Sequence, residues 1–426
     1  MRSLRKARLY TAASRRNLCD NAPMKHGAAI HSEVGALQSV IIHRPDLELS
    51  RITPDNKDEL LFDELIWLER AQEEHDAFAD LMRIAGAEVL YIDDLLTEVM
   101  TDRSIAEAVI AEHVTQDLCG ARLAERVRSF LAELPPENLV RHLIGGVTLD
   151  EVGATEGLVA TLHGPNDFLL PPLPNVVFMR DSSIWIGDGV VLSPMNRLVR
   201  RRESNLLRLV YSHHPRFSDA PIWFGNEPGE HFPASVEGGD VLVVGDRGIA
   251  VGVSERTSPT GAAALTARLF EEGVIDRVLV VELPKERSTM HLDTVVTMVD
   301  RDRFVLYPRI RSRVRAFQVT PGPELGLHVE GEIGLIEGLA WAAGLESADV
   351  IEPAMTSIQA DREQWNDANN TFAIAPGEVI AYERNVATNE VLEDAGVVVH
   401  RMPSYELPRG RGGPRCMTCP VARAPL

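Results

Sequence analysis

The apolar positions divide the chain into short buried strands and amphipathic helices. Leu37–Ile42 (LQSVII) reads as a buried strand, ended by His43-Arg44-Pro45, where proline removes a ladder donor. From Lys57 to Ile84, Leu61, Leu65, Leu68, Phe78, Leu81 and Met82 fall at spacings compatible with one helix face. Gly86 stops that predicted helix, and residues 88–92 read as the next strand. Between Asp94 and Thr161 the chain is rich in Ala, Leu, Glu and Arg, with few strand-like runs. That stretch predicts a small helical bundle inserted into an otherwise α/β chain.

Beyond it, one pattern recurs. Asp181, Asp240, Asp293 and Asn370 each precede an apolar run, a turn built on Gly, Asp or Pro, and a second apolar run. Their spacings are 59, 53 and 77 residues. Such turns between apolar runs are hairpin signals. Helix-like sequence and a further strand follow, for example at 277–281 and 397–399. This predicts repeated ββαβ units arranged radially, with equivalent strand starts around one centre. The organisation is then a disordered N-terminal tail over 1–31, an α/β catalytic domain over 32–93 and 162–426, and a helical domain at 94–161.

Charge and composition change this picture in four places. The 426 residues carry 43 Lys and Arg against 63 Asp and Glu, a formal net charge of −20. Nucleic-acid binding and attachment to anionic lipid both need a basic face, so they are disfavoured, while a small cationic partner is attracted. No apolar run approaches the roughly 18 residues of a membrane span. Four cysteines in this length cannot form a disulfide framework, which points to a reduced, cytoplasmic protein. The first residues differ: Arg2, Arg5, Lys6, Arg8, Arg15 and Arg16 precede any acid. Such a start has the acid-poor character of a transit peptide, yet it reads better as a tail or an upstream start codon, with Met24 the true beginning.

The predicted strand starts carry the polar residues. Asn175 and Arg180-Asp181 precede the first, Glu237-Gly238-Gly239-Asp240 opens the second, and His291-Leu292-Asp293 the third. Near the C-terminus, Arg409-Gly410-Arg411-Gly412-Gly413-Pro414-Arg415-Cys416 is a glycine-rich loop ending in a thiol. A Cys–His pair with carboxylates suits nucleophilic catalysis on a carbon bearing nitrogen. Cys416 and Cys419 also form a CxxC, which admits redox chemistry or a metal. Zinc would need two further ligands, and Cys19 and Cys119 sit in the tail and the helical insert. A thioredoxin-like site would sit early in a βαβ unit, not 10 residues from the C-terminus.

The motifs LPNVVFMRDSSIWI, EGGDVLVVG with SERTS, MHLDTVVTMVD and RGRGGPRCMTCP, in this order, resemble the arginine deiminase family. So does ITPDNKDELLFDELIWLERAQEEHDAF near the start, and the resemblance runs from about Glu33 to Arg423. It implies a fivefold pseudosymmetric α/β propeller of ββαβ units with an inserted helical-bundle domain. It also implies hydrolysis of L-arginine to L-citrulline and ammonia, without metal or organic cofactor, by an enzyme expected to be a homo-oligomer. Residue by residue, it makes Cys416 the nucleophile, His291 the general acid and base, and Glu237 its paired acid. Asp181 and Asp293 would hold the guanidinium. Asn175, Arg200, Arg256 and Arg411 match positions for the substrate's α-carboxylate and α-amine, and Asp240 and Phe178 are placed with that substrate-binding set. Arg415 stands where related enzymes often carry His. Agmatine deiminase, dimethylarginine hydrolase and amidinotransferase activities share the implied fold, and a CxxC redox protein is the alternative from another class.

Overall fold

The computed structural model describes residues 27–153, 156–227, 229–323 and 326–426. Five sheets share one ladder: an antiparallel pair whose inner strand also takes a parallel third strand. Parallel neighbours need a long crossover, and in each case a helix supplies it. Ser183–Ile186 and Gly189–Leu192 form a hairpin, and Arg201–His213 returns the chain to Ile222–Phe224. Val241–Gly245 and Gly248–Val253 are followed by Pro259–Glu271 and Arg277–Glu282. Val296–Asp300 and Arg303–Leu306 take Asp349–Ile351, and Phe372–Ala375 and Glu378–Tyr382 take Val398–Met402.

The remaining sheet joins the two ends of the described chain. Leu37–Ile42 runs parallel to Glu88–Tyr91 and antiparallel to Cys419–Arg423. The C-terminal strand thus takes the place of a first hairpin strand, and the loop before it ranks with the other strand starts. This is why a thiol near the end of the sequence meets residues from positions 181, 237 and 291.

Two boundaries differ from those predicted. Pairing begins at Ala29 and Ile30, which bridge Ala422 and Gly187, ahead of the boundary drawn at Ser32. The basic stretch and Met24 lie outside the described residues. The helix predicted from Lys57 begins at Leu68. Leu60 and Phe62 are the buried residues of the preceding segment, Leu65 is 38% exposed, and Leu61 takes a left-handed φ of 59°. The segment is therefore a loop folded over neighbouring residues, not a helix face.

From Ile92 to Gly145 the chain is helical, with Asp102 and Thr115 capping helices through backbone N–H groups. Leu96, Val109, Leu123 and Leu143 belong to the same apolar cluster as Trp185, Leu207 and Val243. The helices are thus bonded to the sheets by a shared core. No helix among the described residues is long and apolar enough to cross a membrane.

At the end of the first strand, buried His43 lies 2.9 Å from Asp93 and 3.1 Å from Glu48, itself buried. Burial opposes charge on the ring, but Asp93 and Glu48 hold its pKa well above the ordinary value. Removing one partner of a buried pair costs about 3–5 kcal/mol. His43→Leu is therefore expected to lower the urea midpoint near pH 6. A raised folded pKa gives stability present below the unfolded value of about 6.5 and lost as pH rises through the folded value. The wild-type advantage should shrink in strongly alkaline buffer, and unfolding curves at the two pH values check this.

Candidate active site

Short helical turns place the polar residues at the strand starts. Met179–Ser182 precedes Ser183, Gly238–Asp240 precedes Val241, and Leu292–Thr294 precedes Val296. A Cβ at Gly239 would lie 2.6 Å from the His291 ring, so only glycine lets these two turns touch. The turns converge on a small cavity. Cys416, His291, Asp181 and Arg200 line it, with Asn175, Phe178, Arg256 and Arg411. Glu237 and Asp293 stand immediately behind this lining, bonded or close to its reactive groups.

His291 Nε2 is 2.9 Å from Glu237 Oε2, and Nδ1 is 3.6 Å from Asp181 Oδ1. Burial disfavours the imidazolium, but the charge of Asp181, the bond to Glu237 and the charge of Asp240 raise its pKa to about 9. Burial pushes Glu237 up, yet Arg256, His291 and Arg200 outweigh it and hold the carboxyl well below the usual range. Cys416 Sγ lies 3.7 Å from Asp293 Oδ2. Its backbone N–H donates to Asn370 Oδ1 at 3.0 Å, and Asn370 Nδ2 donates to the Asp293 carbonyl. Burial raises the thiol pKa well above its ordinary value, and the charges of Asp293, Asp181 and Asp367 raise it further.

The two aspartates are half satisfied. Asp181 Oδ2 accepts from Arg200 at 2.8 Å and Asp293 Oδ2 from Arg415 at 2.7 Å. Their Oδ1 atoms are buried without a hydrogen-bond partner. A buried carboxylate oxygen left unpaired is expensive, so each marks a place for a donor. The arginines divide similarly. Arg200 is committed to Asp181, to Glu203 at 2.8 Å and to the Asn175 carbonyl at 3.3 Å. Arg256 Nε and Nη1, and Arg411 Nε and Nη2, have no hydrogen-bond partner. The free guanidinium capacity in the pocket is therefore on Arg256 and Arg411, not on Arg200.

Like Asp293, Asp240 is absent from the cavity lining although a role toward substrate was expected of it. Its oxygens accept from the Leu292 N–H at 2.9 Å and the Ser254 hydroxyl at 2.7 Å. It fixes the His291 turn from behind, and burial raises its pKa to about 7. Arg415 is fully buried and spans Glu33, at 3.0 Å, and Asp293. Its charge is thus answered by two carboxylates beside the thiol. Cys419 lies in the adjoining strand, near the Ser183 hydroxyl at 3.4 Å and the Tyr211 hydroxyl at 3.7 Å. It belongs to a different apolar cluster from Cys416.

Arg287, Met290, Thr294 and Gly410 also line the cavity and were not anticipated. Met290 and Thr294 flank His291 within one motif, which is a usable signal; Arg287 resembles any surface arginine in the sequence. Asp63, from the misread loop, accepts from Arg287 at 3.1 Å. Asp181, Glu237 and His291 offer ligand atoms within 4.8 Å of one another. Arg200 and Arg256 each approach Glu237 Oε2 at 3.7 Å, which opposes a metal cation there.

A family model described as arginine deiminase matches residues 58–423. A protein named arginine deiminase from Rhodococcus erythropolis (strain PR4 / NBRC 100887) is 46% identical over 401 residues, covering 93% of this chain and 98% of that one. One of the same name from Mycobacterium tuberculosis (strain ATCC 25177 / H37Ra) has the same identity and coverage. Among solved structures, dimethylarginine dimethylaminohydrolase from Pseudomonas aeruginosa, complexed with citrulline, aligns with a TM-score of 0.52 at 16% identity. The alignment covers 90% of this chain and 99% of that one. An amidinotransferase from Microseira wollei aligns at 0.51 and 15% identity, covering 93% and 97%. These two share the fold.

The charges around Cys416 lead to a direct expectation for the unliganded protein. Iodoacetamide should alkylate Cys416 at neutral pH far more slowly than a free thiol of pKa about 8.5. Asp293→Asn removes a negative charge near the sulfur and should move the alkylation profile to lower pH. A profile unmoved or shifted upward by this change would contradict the electrostatic picture.

Proposed function

The chain belongs to the arginine deiminase family, and we propose how its pocket carries out that family's reaction. The protein is a hydrolase acting on the C–N bonds of linear amidines, and it converts L-arginine and water to L-citrulline and ammonia. One observation carries the mechanism: two buried carboxylate oxygens without donors flank a buried thiol. A guanidinium supplies donors for both and adds a positive charge beside the thiol. Its bidentate fit to Asp181 and Asp293 sets the central carbon beside Cys416. Seating the cation also reverses the local field. Two unit charges about 4 Å apart at an effective dielectric of about 20 interact by roughly 4 kcal/mol, before desolvation is counted against it. The substrate thus favours the thiolate that attacks it.

As the cation seats, the Cys416 thiol gives up its proton to solvent, and the thiolate adds to the guanidinium carbon and forms a tetrahedral adduct. His291, positively charged through its carboxylate neighbours, gives its proton to the departing nitrogen, and ammonia leaves. A thiouronium remains on Cys416. His291, now neutral, takes a proton from water as that water adds to the same carbon. Collapse breaks the C–S bond as the adduct's hydroxyl proton passes to the departing sulfur, which restores the neutral thiol and leaves the neutral ureido group of citrulline. Glu237 holds the imidazole in place and stabilises its charged form. At the far end, Arg256 and Arg411, with Asn175 and Phe178, receive the amino-acid end of the substrate. Arg200 acts by holding Asp181, which narrows its role to positioning.

The five like sheets support a fivefold α/β propeller, closed by the C-terminal strand, with residues 94–161 as its helical insertion. The strand Cys419–Arg423 packs beside Ser183–Ile186, and Val296–Asp300 beside Phe372–Ala375. Each blade then delivers its leading turn to the centre.

Colorimetric citrulline release tests the function. Wild type should form citrulline from L-arginine, and Cys416→Ser should form none above background; activity surviving in Cys416→Ser would overturn the nucleophile. Activity should also fall as pH rises through about 9, where His291 loses its proton. Agmatine lacks the α-carboxylate. Leaving a buried guanidinium without its anion costs about 2–5 kcal/mol, or roughly 30- to 3,000-fold in kcat/KM. Arg411→Ala and Arg256→Ala should narrow that preference for L-arginine; equal turnover of both substrates by wild type would contradict the assignment.

A further inference from the structure

The loop bearing Arg411 and Cys416 is anchored near both ends of its course. At the thiol, Asn370 holds the Cys416 N–H; in the middle, the Tyr382 hydroxyl donates to the Gly412 carbonyl at 2.7 Å. The upstream end meets Glu74, on the helix Leu68–Ile84, whose side chain has no solvent exposure. Glu74 Oε1 accepts from the Tyr405 N–H at 2.8 Å and from Glu406 N–H at 3.1 Å. Oε2 accepts from Glu406 N–H at 3.0 Å and Leu407 N–H at 3.1 Å. The nearest cation, Arg70, is 3.4 Å from Oε1 and lies with its guanidinium 5.0 Å over the Tyr405 ring. The contact is reciprocated: Glu406 Oε2 accepts from the Trp67 N–H at 2.9 Å, where that helix begins.

A buried carboxylate needs its lone pairs filled, and here three consecutive backbone donors fill them. Those donors belong to the residues entering the turn Leu407–Gly410, which leads directly into Arg411. The path beyond has little slack. A Cβ at Gly412 would lie 2.2 Å from the Phe178 ring, so a loop shifted at its root would have to move against the cavity wall.

We propose that Glu74 is a positioning residue for catalysis: it fixes the root of the loop, and through it the relative placement of Arg411 and Cys416. This rests on Cys416 being the nucleophile. Glu74→Gln keeps the shape but turns an amide donor toward backbone donors; Glu74→Asp keeps the charge and withdraws it by one methylene. A misplacement of about 1 Å can reduce rate about 100-fold, so kcat/KM for L-arginine should fall about 10- to 100-fold in each variant.

The test uses the full-length protein well below its thermal midpoint and adds a readout independent of turnover, the rate of Cys416 alkylation by iodoacetamide. Faster alkylation of Cys416, with Cys119 and Cys419 unlabelled, would show a displaced loop in a folded protein and support the proposal. Folded variants with unchanged kcat/KM and unchanged alkylation would overturn it. So would failure of both variants to fold, which would assign Glu74 to stability alone. If wild-type turnover proved independent of Cys416, the nucleophile reading would fail, yet alkylation would still report where the loop sits.

Discussion

The two donor-less oxygens of Asp181 and Asp293, buried beside a thiol, are the constraint on which the rest depends. Negative charge this far from water is unfavourable, and the thiol next to it is kept neutral. The surroundings relieve part of the burden: Arg200 takes the other oxygen of Asp181, and Arg415, braced by Glu33, takes the other oxygen of Asp293. What remains unrelieved has the charge, width and donor requirement of a guanidinium. In the proposed mechanism recognition and activation are one event, because the ion that satisfies the carboxylates also favours the thiolate. The ureido group of the product carries no charge, so the reaction removes the attraction that held the guanidinium.

The sheet arrangement makes such a cluster possible. A sheet whose leading turn faces the centre presents one or two polar side chains there, and its apolar strands behind supply the dry wall. No single segment must carry more than a few buried charges. Asp240 and Asn370 show the second layer of the design: neither reacts, and each ties one turn to the next through backbone groups.

Much of this was legible in the sequence because the polar residues interrupt strong apolar runs at repeating positions. Asp181, Glu237, His291 and Asp293 were visible as strand starts, and Cys416 as the end of a glycine run. The fifth sheet was hidden, since its strands lie at opposite ends of the chain and local periodicity cannot join them. The segment 57–67 was misread because Leu61, Leu65 and Leu68 mimic a helix face, while its buried residues are Leu60 and Phe62. The hairpin Arg315–Pro321 with Leu327–Ile333 was missed because its outer strand, LHVEGEI, is largely exposed and lacks a continuous apolar signal. Roles also escaped where a side chain's partner is distant in sequence. Nothing local separates Arg200, spent on Asp181 and Glu203, from Arg256 and Arg411, each with two nitrogens that lack a hydrogen bond.

Charge recognition by the pocket is tested most directly by comparing L-arginine with L-citrulline, which has nearly the same shape without the charge. Calorimetric titration of each into Cys416→Ser, where no thiol can react, isolates binding. An unpaired buried charge costs about 2 kcal/mol or more, so L-arginine should bind at least about 30-fold more tightly than L-citrulline. Equal affinities would contradict the claim that the two carboxylates await a cation.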